Sequence, residues 1–245
     1  MNLNQGKIII RDTLSQATLA ASDLFLKKAK ECVSDKGFFT VAISGGSAPK
    51  PMHRMLAEEP YRSKIPWNRT HIFWVDERCV SFADPASNYG AAKQDILDMV
   101  GIPQEQIYPM FDGGFPEEKA LKYQKKIVDF FQLKEGQYPM FDLIFLGVGQ
   151  DGHTASLFPG QEAVSENNRI IIAVRGGNPN VDRISMTFSA LNSAAYVVFL
   201  ASGNEKAAIV NNILSGSKPG LPASKIKPKN GILIWILDKE AASLM

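Results

Sequence analysis

Leu143-Ile-Phe-Leu146 runs straight into Gly147-Val-Gly-Gln-Asp-Gly-His153. Four apolar residues bounded by a glycine-rich turn read as a strand buried on both faces, with a loop opening at its C-terminal end. The same grammar occurs twice upstream, where Phe38 to Ile43 runs into Ser44-Gly-Gly-Ser47 and His71 to Val75 into Asp76-Glu-Arg78. Further strands are expected at Ile8 to Arg11, Ile170 to Val174, Ile184 to Phe188, Tyr196 to Leu200 and Ile232 to Leu237. Helical spacing fills the intervals. One helix starts at Asp12 or Thr13, with apolar residues at Leu14, Ala17, Ala21, Leu24, Phe25 and Cys32. Others run from the Ser47 loop to about Glu59, from Ser87 or Asn88 to Met99, from Glu117 to Phe131 and from Glu205 to Leu214, while Pro103 to Pro116 reads as loop. Alternating strands and helices specify an α/β fold. About five or six such units are too few for an eight-unit barrel. The expectation is a single domain over residues 1–245, an open, mostly parallel doubly wound sheet with helices on both faces (Rossmann-like). Such sheets bind ligands beyond the C-terminal ends of their strands.

Composition narrows the function. The chain has 245 residues, 45% hydrophobic and 21% charged, which excludes a disordered or coiled-coil protein. Its longest apolar runs, Ala194 to Ala201 and Ile232 to Leu237, fall short of the ~18 residues of a membrane span. The N-terminus has no basic region or apolar core, so no signal peptide is expected. With 27 basic and 25 acidic residues the net charge is +2, which gives no footprint for nucleic acid or an anionic membrane as partner. Two cysteines, Cys32 and Cys79, support neither a disulfide framework nor a cysteine metal site and suit a reducing, cytoplasmic setting. The lysine-rich stretch Lys218 to Lys229 holds three prolines and reads as a solvated loop.

The loops at the strand ends carry the chemistry. Gly45, Gly46 and Ser47 precede a helix start. Glycine lets backbone approach a ligand closely, and a helix N-terminus attracts phosphate; the plainer alternative is a tight turn capped by Ser47. The Walker spacing is absent. Asp76 can orient hydroxyls and Arg78 can bind an anion through its fork, or the trio with Glu77 can close on itself as an ion-pair cluster. Gly147-x-Gly149-x-x-Gly152 matches a dinucleotide fingerprint formally, but Pro159-Gly160 break the helix it needs and Arg175 stands where the ribose-binding acid belongs. A dinucleotide cofactor is therefore not expected. Only three histidines occur, and no pair has metal-ligand spacing, so no metal site is expected. No Gly-x-Ser-x-Gly elbow offers a serine nucleophile. His53 and His71 read as structural. His153, at a strand's C-terminal end beside Asp151, has the chemistry of a general base, since imidazole titrates near neutrality; the plainer alternative is a capping histidine satisfied by backbone.

These loops together resemble the 6-phosphogluconolactonase family. The matching stretches run in order through nearly the whole chain: Ser44-Gly-Gly-Ser-Ala-Pro-Lys-Pro51, Phe73-Trp-Val-Asp-Glu-Arg-Cys-Val80, Ser87-Asn-Tyr89, and Phe141 through Asp151-Gly-His153 to Pro159-Gly160. Arg183-Ile-Ser-Met-Thr187, Gly203-Asn-Glu-Lys-Ala207, Leu221-Pro-Ala-Ser224 and Trp235-Ile-Leu-Asp238 follow. The Thr154-Ala-Ser-Leu-Phe158 tail distinguishes the pattern from the related glucosamine-6-phosphate deaminases, which usually have Ile-Ala-Phe-Asn-Glu there. The resemblance implies cofactor-free hydrolysis of 6-phosphoglucono-1,5-lactone to 6-phosphogluconate in the oxidative pentose phosphate pathway. It implies catalysis by His153 with Asp151, and substrate contacts from Gly45, Gly46, Ser47, Asp76, Arg78, Arg183 and Lys206. The partner would be a phosphorylated sugar lactone and the assembly a monomer or homodimer. Departures are Ala48 for threonine, Gln150 for proline, and Arg175 to Asn180 without a Pro-Lys-Pro-Pro run. The rival readings are a glucosamine-6-phosphate deaminase/isomerase and a non-catalytic sugar-phosphate sensor.

Overall fold

The computed structural model describes residues 6–46 and 48–245. In chain order the elements are β1 (Lys7–Arg11), α1 (Leu14–Lys36), β2 (Phe39–Ile43), α2 (Pro49–Leu56), α3 (Tyr61–Lys64), β3 (Thr70–Trp74), β4 (Asp76–Arg78), α4 (Asn88–Ala92) and β5 (Ile107–Tyr108). Then come α5 (Pro116–Phe131), β6 (Leu143–Leu146), β7 (Ile171–Gly176), β8 (Val181–Met186), α6 (Phe188–Leu191), β9 (Tyr196–Ala201), α7 (Ala207–Ser215) and β10 (Ile232–Asp238). Local chemistry sets several boundaries. The Thr13 hydroxyl caps α1 by accepting from Gln16 N–H, and Gly37 ends that helix in the left-handed conformation.

Seven strands form one parallel sheet in the order β1-β10-β9-β6-β2-β3-β5. This is the mostly parallel α/β sheet expected from sequence. Every residue of β2 and β6 is buried, which accounts for their unbroken apolar runs. Phe199 of β9 stacks on its cross-strand neighbour Trp235 of β10 at 4.1 Å. From β2 the chain winds outward through β3 and β5, and from β6 it winds the other way through β9 and β10. The order therefore reverses between β2 and β6, where loops leave a crevice.

A second sheet was not expected. Strand β4 pairs antiparallel with β8, and β8 with β7. Asp76-Glu77-Arg78 is thus itself a strand rather than a loop. Val75 joins the two sheets, donating to the Ile43 carbonyl in one and accepting from Met186 N–H in the other. Strand β8 starts three residues earlier than the apolar pattern suggests because charged residues occupy its first half, and Thr187 instead caps α6 by accepting from Ala190 N–H. The Pro103–Pro116 loop contains β5, whose two residues are too few to give a pattern. In the lysine-rich stretch the four lysines are exposed, yet Pro222, Ala223 and Ile226 are buried and Ala223 N–H donates to the Gly152 carbonyl. That stretch is packed against the loop after β6. No helix among the described residues is long and apolar enough to cross a membrane.

His53 lies buried in α2, and its Nε2 has no hydrogen-bond partner among the described residues. Burial, opposed by the Asp95 charge, pushes its pKa from 6.5 down to about 4. The unfolded chain therefore takes up this proton first, and the stability present above pH 6.5 is lost as pH falls toward 4. The loss amounts to about 3 kcal/mol for a gap of this size. Urea unfolding at pH 7 and pH 4 should show that His53→Leu removes this share of the acid sensitivity. An unchanged acid slope in the variant would contradict it.

Candidate active site

The crevice between β2 and β6 opens into a pocket of about 190 Å³. Gly45, Gly46, Asp76, Arg78, His153, Arg183 and Lys206 all line it. Asp151 stands behind His153 rather than on the pocket wall, and Ser47, with its expected capping role, lies outside the described residues.

The loop after β6 is closed by its own hydrogen bonds. Gly149 N–H donates to the His153 carbonyl at 2.9 Å, and the Thr154 hydroxyl donates to the Gly147 carbonyl at 2.9 Å. Ala155 is held at φ +48°, a left-handed conformation unusual for a residue with a Cβ, and its small side chain faces the pocket. Inside this turn the Asp151 carboxylate accepts from His153 N–H at 3.0 Å and lies 2.6 Å from His153 Nδ1. Burial works to raise the Asp151 pKa. The His153 backbone N–H, the imidazolium charge and the side-chain hydrogen bond outweigh it, so Asp151 titrates below the usual carboxylate range. With the carboxylate ionised, Nδ1 carries the proton and Nε2 is the nitrogen free to exchange one.

Part of the pocket wall is cationic. Arg78 and Arg183 are direct partners in the β4–β8 ladder. Arg78 Nη1 donates to the Ala86 carbonyl at 2.6 Å, while its buried Nε has no partner among the described residues. Arg183, buried, donates from Nε to the Gly176 carbonyl at 2.7 Å and from Nη2 to the Pro179 carbonyl at 3.0 Å. Burial first, then the neighbouring Arg78 charge, lowers the proton affinity of Arg183; Asp76 and Glu77 offset part of that effect. Among the described residues no carboxylate lies within ion-pairing distance of Arg78, Arg183 or Lys206. Three cations converging without a counter-ion make a site for an anion.

The charged trio is therefore not a closed ion-pair cluster. Its members face different tasks. Asp76 accepts from the Ser156 hydroxyl at 2.6 Å and lies 3.4 Å from the Asn88 amide nitrogen, which donates to the Asp76 carbonyl at 2.8 Å. Glu77 turns away and accepts from the backbone N–H groups of Arg78, Asn88 and Tyr89, each at 2.7 Å. Burial raises its pKa, and those three N–H groups act against the rise. Sequence reasoning assigned no role to Asn88, which lines the pocket beside Gly45, where any Cβ would collide with its side chain. The signal was the Ser87-Asn-Tyr89 run, but its partners depend on tertiary contacts. No cluster of histidine, cysteine and carboxylate suited to a metal occurs among the described residues.

Residues 12–235 match the family profile described as glucosamine-6-phosphate isomerases/6-phosphogluconolactonase. A 6-phosphogluconolactonase of Synechocystis is 40% identical over 215 residues, covering 86% of each chain. One of Nostoc is 38% identical over 226 residues, covering 90% of each. Among solved structures, the 6-phosphogluconolactonase from Trypanosoma cruzi superposes with a TM-score of 0.86 at 29% identity, over 98% of this chain and 97% of its own.

Proposed function

The chain belongs to the glucosamine-6-phosphate isomerase/6-phosphogluconolactonase family, and from that premise we propose that it hydrolyses 6-phosphoglucono-1,5-lactone to 6-phosphogluconate by histidine-assisted attack of water. One observation carries the reading: an Asp151–His153 pair presents a free imidazole nitrogen to a pocket that also holds three cations without counter-ions. Relatives named 6-phosphogluconolactonase support the choice of reaction, and lactone hydrolysis uses both halves, the cations for the phosphate and the imidazole for proton transfer.

The phosphate lies against Arg78, Arg183, Lys206 and the Gly45–Gly46 amides, with Asp76 directed at sugar hydroxyls. Anchoring a group remote from the reacting carbon positions that carbon, so binding energy becomes orientation. His153 Nε2 takes a proton from water as its oxygen attacks C1. The imidazolium returns that proton to the ring oxygen as the tetrahedral intermediate collapses and the C1–O bond breaks. Gly149 N–H is already committed to the His153 carbonyl. With the Gly45–Gly46 amides on the phosphate, the oxyanion draws on the amides of Gly147–Val148. A lactone is an activated ester that also opens slowly by itself, and no step calls for a cofactor or metal. The reading takes residues 1–245 as one catalytic domain acting on a small molecule in the cytoplasm, as a monomer or homodimer, without nucleic-acid or membrane partners.

The direct test generates the lactone from glucose 6-phosphate and follows its disappearance with and without the protein. The expected result is a rate far above spontaneous opening, with no release of ammonia from glucosamine 6-phosphate. Equal rates with and without protein would overturn the reading. Gly149→Ala probes the pair itself, because a Cβ there runs into the His153 ring and the Asp151 carboxylate. Displacing the base by about an ångström should cost on the order of 10²-fold in kcat. Steady-state assays on the folded variant would reject the catalytic role of the pair if kcat were unchanged.

A further inference from the structure

Between the imidazole and the cationic wall lies a buried side chain to which neither half of the site assigns a function. Phe158 packs its ring against His153, with centroids 4.8 Å apart and planes at 52°. The Arg183 guanidinium sits 5.5 Å from the centroid of the same ring. The β7–β8 turn forms the seat, since a Cβ on Gly176 or Gly177 would press on Phe158 at 3.2 or 2.8 Å. Both glycines have positive φ, and the Gly176 carbonyl is the one that receives Arg183 Nε–H. Catalytic loop, turn and anion-binding strand thus meet on one aromatic ring.

Each contact supplies something the hydrogen bonds leave undetermined. The Asp151 bond fixes Nδ1 but leaves the imidazole free to swing about that single attachment; a ring against its flank removes the swing. Arg183 has two N–H groups committed to carbonyls and three more without a protein partner among the described residues. A carboxylate beside it would hold it in place and neutralise it. An aromatic ring attracts the cation through its quadrupole while leaving its charge available to an incoming anion.

We infer that Phe158 is a positioning residue for the lactonase reaction, orienting His153 for proton transfer and holding Arg183 in place without neutralising it. The inference rests on the functional reading above.

The test compares Phe158→Leu, Phe158→Tyr and Phe158→Glu with the parent protein, using lactone disappearance to obtain kcat and KM separately and thermal melting to establish folding. Losing the ring in Phe158→Leu should lower kcat about tenfold through His153 and raise KM about tenfold through Arg183. Phe158→Tyr, which keeps the ring, should restore both to within about threefold. Phe158→Glu sets a carboxylate beside Arg183 and should raise KM by a further tenfold or more. If the parent is active and folded Phe158→Leu shows parental kcat and KM, the inference fails while the lactonase reading stands. If the parent does not accelerate lactone opening, the functional reading itself fails. Should Phe158→Glu not fold, the leucine and tyrosine variants decide the matter.

Discussion

His153→Ala is expected to lower kcat for lactone hydrolysis by about 10²–10⁴-fold, the usual contribution of a positioned acid–base group, with KM changing little. The separation follows from where the parts sit. Arg78, Arg183 and Lys206 line the pocket as side chains separate from His153, so the alanine variant keeps its anion-binding groups. Nothing else replaces the imidazole: the other two histidines are occupied elsewhere, with His53 buried in α2 and His71 Nδ1 3.1 Å from the Tyr108 hydroxyl. Asp151 remains, but it stands behind the imidazole and is not among the residues that line the pocket. Initial rates, corrected for spontaneous opening, give kcat, and competitive inhibition by 6-phosphogluconate reports on the phosphate site. A variant retaining near-parental kcat would refute the mechanism. A variant that lost product affinity as well would place His153 in binding rather than proton transfer.

What the sequence disclosed about this site depended on distance along the chain. Asp151 and His153 lie within one turn, and their bond forms through local geometry, so the strand-to-loop pattern alone pointed to them. Strands β2, β6, β9 and β10 were legible for a related reason: burial on both faces leaves an apolar run that little else explains. Arg183 and Lys206 came only from resemblance. Arg183 reaches the pocket because β8 pairs antiparallel with β4, and register between distant strands leaves no local trace. Strand β4 was hidden for the same cause. Asp76, Glu77 and Arg78 would be poor strand residues in water, and their burial becomes tolerable only through partners supplied by Ala86 to Tyr89 and Ser156.

Removing the carboxylate that gathers several of those partners should unsettle the fold. Glu77→Ala is expected to cost about 3–5 kcal/mol of unfolding free energy, a large share of the ~5–15 kcal/mol typical of a whole domain. Glu77 is 1% exposed, and its two oxygens accept from three backbone N–H groups as well as the Ser87 hydroxyl at 3.2 Å. Alanine leaves those donors without an acceptor, at roughly 1–3 kcal/mol for each that water cannot reach. The damage reaches the pocket through Asn88, whose backbone N–H belongs to Glu77 and whose side chain holds Asp76 and abuts Gly45. Glu77→Gln keeps one carbonyl oxygen but turns an NH₂ toward N–H donors, so it should recover only part of the loss. Urea unfolding gives the stability, and lactone KM of the folded glutamine variant reports on Asp76. A Glu77→Ala penalty below about 1 kcal/mol would mean that the loop is held by its own turn geometry, and that this carboxylate is an accessory to it.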